Sequence, residues 1–340
     1  MTGDRPDTHD PAVPRAAMLL TAGLGTRLRP LTRLCAKPAL PVAGEPLAGR
    51  ILRWLAGTGV RDAVLNLHHR PETITAAVGD GTRYGLRVRY SWEPEILGSA
   101  GGPARALPIL NAERFLLVNG DTLSNVDLGA MAAVHAASGA RVTMAVIPNP
   151  DPAHYGGVLV DAGACVTGFA ARGPGNRGLH FIGIQIVEAD VFAGLDPAAR
   201  SDTVGGVYDD LISRHPGDVR AFVSQASFRD IGTAAHYLTT CLDAGRAAGC
   251  GDLIVEDGAS VDSRAALSQC VIWPGSLVPG DVTLDACIVA GGAAVPAGSR
   301  FSRCVLRPAA GADEREPFER QIGTLLVSPL DVLKAEIRCI

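Results

Sequence analysis

The chain has 340 residues, a net charge of −4 and a hydrophobic fraction of 47%. This composition supports a large buried core, and the mildly negative charge argues against a nucleic-acid-binding role. The apolar runs are only strand-sized, so no membrane span is expected. The eight cysteines lack the paired spacing of zinc and thiol-exchange sites. We therefore expect a reduced, cytoplasmic protein.

Residues 1–15 are polar, contain several prolines and lack the apolar segment of a signal peptide, which predicts a disordered tail. From 16 to 249, short apolar runs alternate with helical patterns, which is typical of a doubly wound, mostly parallel α/β sheet. Predicted strands of this domain cover 16–22, 63–67, 87–91, 115–119, 141–147 and 219–223. Predicted helices cover 47–57, about 128–134 (capped by Asp127), about 207–215, and 234 to about 248.

Small and cationic residues follow the first predicted strand: Thr21, Ala22, Gly23, Gly25, Thr26, Arg27 and Lys37. Glycines let backbone N–H groups approach a phosphate, and two cations can bind one anion from two sides. A P-loop is excluded because no Lys-Ser or Lys-Thr pair follows these glycines. A dinucleotide fingerprint is excluded because Leu28 occupies the place of its third glycine. The segment predicts a site for the phosphates of a nucleotide.

Two aspartates follow other predicted strands. Asp121 comes directly after strand 115–119, and Asp230 lies between strand 219–223 and the next helix. Ligands of doubly wound sheets bind beyond the carboxyl ends of the strands, so we expect both carboxylates to share a cleft with Arg27. One or two carboxylates with substrate phosphates suffice to bind Mg²⁺. Alternatively, each aspartate is a helix cap or stabilises a turn.

Between 155 and 192 the sequence becomes rich in strands, and we expect a sheet insertion with strands 155–161, 166–170 and 181–187 that forms the far wall of the cleft. After residue 250 a period of 17 residues begins, seen in Ile254, Val271 and Ile288. A fixed short period predicts a solenoid. We assign 250–307 to a short left-handed parallel β-helix; an antiparallel sheet with coincidental spacing is the alternative.

The predicted β-helix would cap the preceding domain or join copies of the chain into a homo-oligomer. The remaining segment, 308–340, ends in an apolar run starting at Leu325 that predicts a docking helix of unassigned function.

The pattern Gly-x-Gly-Thr-Arg followed by Lys-Pro, at 23–38, resembles the sugar-1-phosphate nucleotidyltransferases, or NDP-sugar pyrophosphorylases. Asn-Gly-Asp at 119–121, Leu-Gly-Ser-Ala-Gly at 97–101 and Asp-Ile-Gly-Thr at 230–233 occur in the family's order. With Asn-Leu-His-His at 66–69 and the β-helix, the chain looks most like the mannose-1-phosphate guanylyltransferases; the heptose-1-phosphate guanylyltransferases are similar. The resemblance implies a Rossmann-like nucleotide-diphospho-sugar transferase fold, and transfer of a nucleotidyl group from an NTP to a sugar 1-phosphate with Mg²⁺.

The resemblance also implies roles for single residues. The catalytic residues would be Arg27, Lys37 and Asp121, and the Mg²⁺ ligands Asp121 and Asp230. The nucleotide would contact Thr21, Ala22, Gly23, Gly25, Thr26, Arg27, Gly98, Ser99 and Asn119. The sugar phosphate would contact Lys37, Gly156, Arg172 and Gly183. Relatives carry Glu-Lys-Pro where this chain has Ala171-Arg172, which removes an expected acceptor for a sugar hydroxyl.

Among nucleotides, GTP is favoured over UTP, dTTP and ATP. A nucleotide-sugar sensor without turnover is the alternative from another functional class, consistent with the altered Ala171-Arg172 site. An acyl-transferring β-helix is disfavoured because that chemistry uses a histidine base, and the last histidine, His236, precedes the coils. An NAD-dependent oxidoreductase is disfavoured by the missing third glycine.

Overall fold

The computed structural model describes residues 13–311 and 315–331. By internal contacts the chain divides into two compact units, one comprising Met1–Gly23 and Ala48–Arg229, the other Leu24–Leu47 and Asp230–Ile340. The predicted tail at 1–15 lies largely outside the described residues; of its last three residues, Val13 and Pro14 are buried. The boundary predicted at 249, drawn from the change in sequence pattern, stays a prediction.

The strands of the first unit are β1 (Ala16–Leu20), β4 (Asp62–Leu67), β5 (Arg87–Trp92), β6 (Arg114–Asn119), β7 (Thr122–Ser124), β8 (Val142–Ile147), β9 (Gly157–Val160), β10 (Val166–Ala170), β11 (His180–Glu188) and β12 (Val219–Val223), with β13 (Phe228–Asp230) at its end. The other strands are β2 (Pro41–Val42), β3 (Glu45–Pro46), β14 (Leu253–Val255), β15 (Ser260–Val261), β16 (Ala266–Ser268), β17 (Cys270–Ile272), β18 (Leu277–Val278), β19 (Thr283–Asp285), β20 (Ile288–Val289), β21 (Arg300–Ser302), β22 (Cys304–Pro308), β23 (Arg320–Ile322) and β24 (Leu325–Pro329).

The helices are α1 (Leu31–Leu34), α2 (Leu47–Gly57), α3 (Pro71–Val78), α4 (Gly98–Leu110), α5 (Leu128–Ser138), α6 (Asp190–Ala193), α7 (Tyr208–Arg214) and α8 (Ala234–Ala247), with short turns of 3₁₀ helix at Thr26–Leu28, Lys37–Ala39 and Thr82–Tyr84. As predicted, Asp127 caps α5, because its side chain accepts a hydrogen bond from the Ala130 N–H. Within the described ranges, no helix combines the length and apolarity needed to cross a bilayer.

A seven-stranded sheet forms the centre of the first unit, in the order β12-β8-β11-β6-β1-β4-β5. All neighbouring strands are parallel except β11, which runs antiparallel to β6 and β8. This confirms the predicted mostly parallel α/β sheet. Side chains such as Met18, Leu117 and Met144 form its core together with residues of α4 and α7, including Tyr208.

The predicted three-stranded insertion is wrong in its third member. Only β9 and β10 pair as a separate two-stranded sheet, whereas β11 lies inside the central sheet. Seven successive residues of β11 from Phe181 to Val187 are nearly all buried, as in a strand covered on both faces. A run of this length is compatible with a hairpin strand and with a strand of the central sheet, so its length alone could not separate the two positions.

The second unit contains stacked parallel strands, as the 17-residue period predicts. β14, β17, β20 and β22 form one face in this order, with Ile254 opposite Val271, Val271 opposite Ile288, and Ile288 opposite Val305. Strands β15 and β18 form a second face, and β16, β19 and β21 a third.

The docking helix predicted at the end of the chain is wrong where the structure describes it. Residues 325–329 form β24, which pairs antiparallel with β22 and continues the first face of the β-helix. Leu325 and Leu326 are buried there. Because β22 starts no further coil, its edge is free to pair with a returning strand, which a local sequence pattern cannot show. The rest of the predicted helix, from 332 onward, lies outside the described residues.

Candidate active site

The cationic loop, residues 25–37, lies in the second unit and begins with a sharp turn. Gly25 has φ +60°, and a Cβ there would lie 2.7 Å from Thr32 Cγ2. The Thr32 hydroxyl donates to the Gly25 carbonyl across 2.9 Å. The turn therefore requires glycine, and Thr32 fixes the start of the loop that carries Arg27.

Asp230 contacts both predicted cations of this loop. Its Oδ1 lies 3.6 Å from Lys37 Nζ, and its Oδ2 lies 3.8 Å from Arg27 Nη1. The Lys37 and Asp230 side chains are only 9% and 13% exposed, whereas that of Arg27 is 53% exposed. A Cβ at Gly232 would lie 3.0 Å from both Arg27 Nη1 and Asp230 Oδ2, so a small residue is needed beside them. Three of the predicted site residues thus come together.

Asn119 and Gly183 meet in the first unit. Gly183 has φ +76°, and a Cβ there would lie 2.7 Å from Asn119 Nδ2. Gly120, next to Asn119, likewise packs against the backbone of Leu20. Asp121 follows at the end of β6, half-buried, and its Oδ1 accepts from the Thr122 hydroxyl. The predicted roles of these residues toward nucleotide, sugar and metal stay predictions.

Sequence analysis missed a buried polar network at the carboxyl end of β1. The Thr21 N–H and hydroxyl donate to Asn66 Oδ1 and to the Asn66 carbonyl. Asn66 Nδ2 donates to Glu93 Oε1 across 2.7 Å, and the Leu97 N–H donates to Glu93 Oε2 across 3.0 Å. Both Asn66 and Glu93 are at least 97% buried, with 3% and 1% exposure. The network fixes Thr21, a predicted nucleotide contact, and the residue before Gly98.

Gly98 and Ser99 are the first residues of α4, and they contact other residues of the same unit. The Ser99 N–H donates to Asp202 Oδ1 across 3.1 Å, and the Thr203 N–H donates to the Ser99 hydroxyl across 2.8 Å. A Cβ at Gly98 would lie 2.5 Å from Asp202 Oδ1. The small residues of this segment therefore make room for residues 201–203, a reason that the sequence did not reveal.

The residues predicted to contact the sugar phosphate differ in their surroundings. Arg172 is exposed. The carbonyl of Gly156 accepts from Asn149 Nδ2 across 3.2 Å, and a Cβ at Gly156 would lie 3.2 Å from the Ala170 carbonyl at the end of β10. Gly156 thus serves the packing of the β9–β10 hairpin.

Comparison with known proteins decides the family. The family model described as Nucleotidyl transferase matches residues 16–245. The chain belongs to the nucleotidyl transferase family. This match covers the motifs on which the resemblance rested and confirms it.

Curated relatives of this nucleotidyltransferase include sugar-phosphate enzymes with different nucleotides in their names. It is 29% identical over 261 residues to a mannose-1-phosphate guanylyltransferase of Mycobacterium tuberculosis, covering 74% of this chain and 72% of the relative. It is 37% identical over 187 residues to an N-acetylmuramate alpha-1-phosphate uridylyltransferase of Neisseria meningitidis, covering 53% of this chain and 78% of the relative. HddC from Yersinia pseudotuberculosis shares the fold, with a TM-score of 0.58 and 23% identity over 67% of this chain and 98% of HddC.

The donor atoms at Asp230 suit a hard divalent cation. Carboxylate oxygens are the protein ligands that Mg²⁺ prefers, and one or two of them suffice when substrate phosphates complete the shell. In the part of the chain that the structure describes, no group of three or more His, Cys, Asp or Glu side chains forms a metal cluster. The carboxylates of Asp121 and Asp230, each taken by itself, have the oxygen donors that such an ion requires.

Proposed function

We propose that this protein transfers a nucleotidyl group from GTP to mannose 1-phosphate or a related heptose 1-phosphate, in the cytoplasm. A sugar phosphate oxygen attacks the α-phosphorus in line, and pyrophosphate leaves. The observation that carries the proposal is the pair of contacts from Asp230 to Lys37 and Arg27. Both cations follow the first strand of the sheet, in the loop where the family pattern lies, and a carboxylate orients them.

In this proposal the protein supplies position and positive charge. The sugar phosphate is already an anionic nucleophile, so no general base is needed. Lys37 and Arg27 offset charge on the phosphates as the bond to pyrophosphate breaks, which is where preorganised cations lower the barrier. Asp121 and Asp230 are the proposed ligands of Mg²⁺, which supplies further positive charge to the phosphates when bound.

UTP is the second candidate nucleotide. The 37% identity to a uridylyltransferase favours it, because this is higher than the identity to the guanylyltransferase, although it extends over a shorter segment. A dTTP-dependent enzyme and a sensor without turnover are further outcomes of the same experiment.

The test is a pyrophosphate-release assay with GTP, UTP, dTTP and ATP, each against mannose 1-phosphate, a heptose 1-phosphate, N-acetylmuramate 1-phosphate and glucose 1-phosphate. We expect the highest kcat/KM with GTP and mannose or heptose 1-phosphate, and loss of turnover with EDTA that MgCl₂ restores. If kcat/KM were highest with UTP, UTP would take the place of GTP as the proposed substrate. Nucleotide binding without turnover in any pair would favour the sensor.

Single Asp121→Asn and Asp230→Asn variants test the metal proposal separately. Each is expected to raise the Mg²⁺ concentration needed for half-maximal turnover. An unchanged Mg²⁺ dependence in both variants would show that these residues are not the ligands.

Light scattering across a range of protein concentrations tests the proposed homo-oligomer.

A further inference from the structure

The cationic loop carries four positive side chains, which form ion pairs with two carboxylates of the same unit. Asp230 pairs with Arg27 and Lys37. Glu316, in the segment after β22, pairs with the other two: its Oε1 lies 2.6 Å from Arg33 Nε and 3.7 Å from Arg29 Nε. The side chains of Arg29 and Arg33 are each 21% exposed, against 53% for Arg27. The two pairs of cations therefore have different surroundings.

Glu316 is itself held rigidly. Its side chain is 1% exposed, and its N–H donates to Glu319 Oε2 across 2.8 Å. Glu319 forms a two-fold ion pair with Arg307 of β22, with Nε–Oε1 and Nη2–Oε2 distances of 2.7 and 2.6 Å. Both of these side chains are almost fully buried, at 3% and 0% exposure. Bidentate pairs fix geometry as well as charge, so the β-helix determines where the Glu316 carboxylate lies.

The same loop packs on the β-helix through an apolar contact. A Cβ at Gly291, in the turn after β20, would lie 3.0 Å from both Cδ atoms of Leu34. Gly291 also has φ +65°. Leu34 and Arg33 are neighbours in α1, so this short helix is held both by packing and by the ion pair with Glu316.

We propose that Glu316 is a positioning residue for nucleotidyl transfer. By binding Arg29 and Arg33, it holds the cationic loop so that Arg27 and Lys37 keep their places beside Asp230. The proposal rests on the proposed function for its catalytic consequence. It gives the segment 315–331 a role, although no side chain of this segment needs to touch a substrate.

The test compares Glu316→Gln with Asp331→Asn, which is the same chemical change in the same segment. Asp331 pairs with Arg303, and both side chains are exposed, at 59% and 64%. We expect Glu316→Gln to lower kcat about 10- to 100-fold, the order of loss that follows a misplacement of about 1 Å. KM for both substrates should change less than about threefold. Glu316→Asp should be intermediate, and Asp331→Asn should match the wild type.

Hydrogen exchange of the ligand-free protein gives a readout that needs no activity. We expect amides of residues 25–37 to exchange faster in Glu316→Gln, while those of β6 keep their protection. If Glu316→Gln does not fold, Arg33→Gln removes the shorter of the two contacts of Glu316 through the more exposed partner, and its results are interpreted in the same way.

Unchanged kcat together with unchanged exchange at 25–37 would overturn the proposal. So would faster exchange throughout the protein with normal kcat per folded molecule, since the residue would then be merely structural. If the wild type transfers no nucleotide, the proposed function fails, yet the exchange comparison still decides whether Glu316 positions the loop.

Discussion

The Lys37 ammonium lies 3.6 Å from Asp230 Oδ1, and both side chains are largely buried. A buried ammonium is costly unless a carboxylate or another acceptor accompanies it. Lys37 follows the first strand of the protein, whereas Asp230 follows the last strand of the central sheet. Their pairing brings together two short motifs that lie almost 200 residues apart in the chain.

Replacing either cation beside Asp230 should impair turnover strongly. We expect Lys37→Ala and Arg27→Ala each to lower kcat about 10²- to 10³-fold, the scale for removing one preorganised electrostatic contact. Steady-state kinetics with the best substrate pair would measure this. Arg300→Ala, which removes an exposed arginine of β21, serves as the control and should retain full activity. Wild-type kcat in Arg27→Ala would contradict the assigned role.

The sequence predicted most strands because apolar runs of parallel sheets are easily recognised. Their ends were less accurate: β1 ends at Leu20, not at 22, because the Thr21 N–H donates to the Asn66 side chain instead of continuing the ladder. The place of β11 in the sheet and the pairing of β24 with β22 depend on contacts distant in sequence. Periodicity does not carry such information.

The site was partly predictable for a related reason. Arg27, Lys37 and Asp230 lie in recognisable motifs, and the structure brings them together. Asn66 lies in the Asn-Leu-His-His stretch, yet its hydrogen bond to Glu93 could not be predicted, because a single polar residue in or beside an apolar strand gives no periodic signal. A polar side chain in such a place indicates a hydrogen-bond network only if it is already known to be buried.

The Glu93 carboxylate should contribute measurably to stability. Its two oxygens accept hydrogen bonds from Asn66 Nδ2 and from the Leu97 N–H. In Glu93→Gln an NH₂ group replaces one of these oxygens, so one of the two donors loses its acceptor. An unsatisfied buried group costs about 1–3 kcal/mol, which corresponds to a decrease in Tm of roughly 2–12 °C for a unit of this size. Thermal unfolding would measure it. Glu95→Gln, two residues away and exposed, should unfold at the wild-type temperature; equal Tm values for both variants would contradict the network.

Cysteines of the β-helix should resist alkylation in the native protein. Cys270, Cys287 and Cys304 are at most 5% exposed, whereas Cys250 is exposed. The hydrogen bond to Cys287 together with burial raises the pKa of the Cys270 and Cys304 thiols, whereas the hydrogen bonds to Cys270 and Cys304 lower the pKa of Cys287. Protection of all three therefore depends on their burial, which keeps the reagent from the sulfur. With iodoacetamide, peptide mass mapping should find Cys250 labelled in the native protein. It should find the other three labelled only after unfolding in urea. Native labelling of Cys270 would show that the coils open readily.

His135 should make stability depend on pH. Its ring nitrogens lie 2.8 Å from the Thr143 hydroxyl and 3.1 Å from Glu188 Oε1, and the residue is 2% exposed. Burial, opposed by the hydrogen bond to Glu188, lowers the pKa of His135 from its usual 6.5. At pH values between the lowered pKa and 6.5, the His135 ring binds more protons in the unfolded chain than in the folded one. Stability from this residue is therefore complete above pH 6.5 and falls as the pH decreases below it.

The measurement is the free energy of urea unfolding between pH 7.5 and 5.5 for the wild type and His135→Gln. Below pH 6.5 the wild-type curve should fall more steeply than that of the variant, by up to about 1.4 kcal/mol per pH unit, since one proton is taken up on unfolding. His215→Gln, which replaces an exposed histidine, should keep the wild-type slope. Parallel curves for the wild type and His135→Gln would mean that the buried ring is protonated equally in both states, contrary to its surroundings in α5.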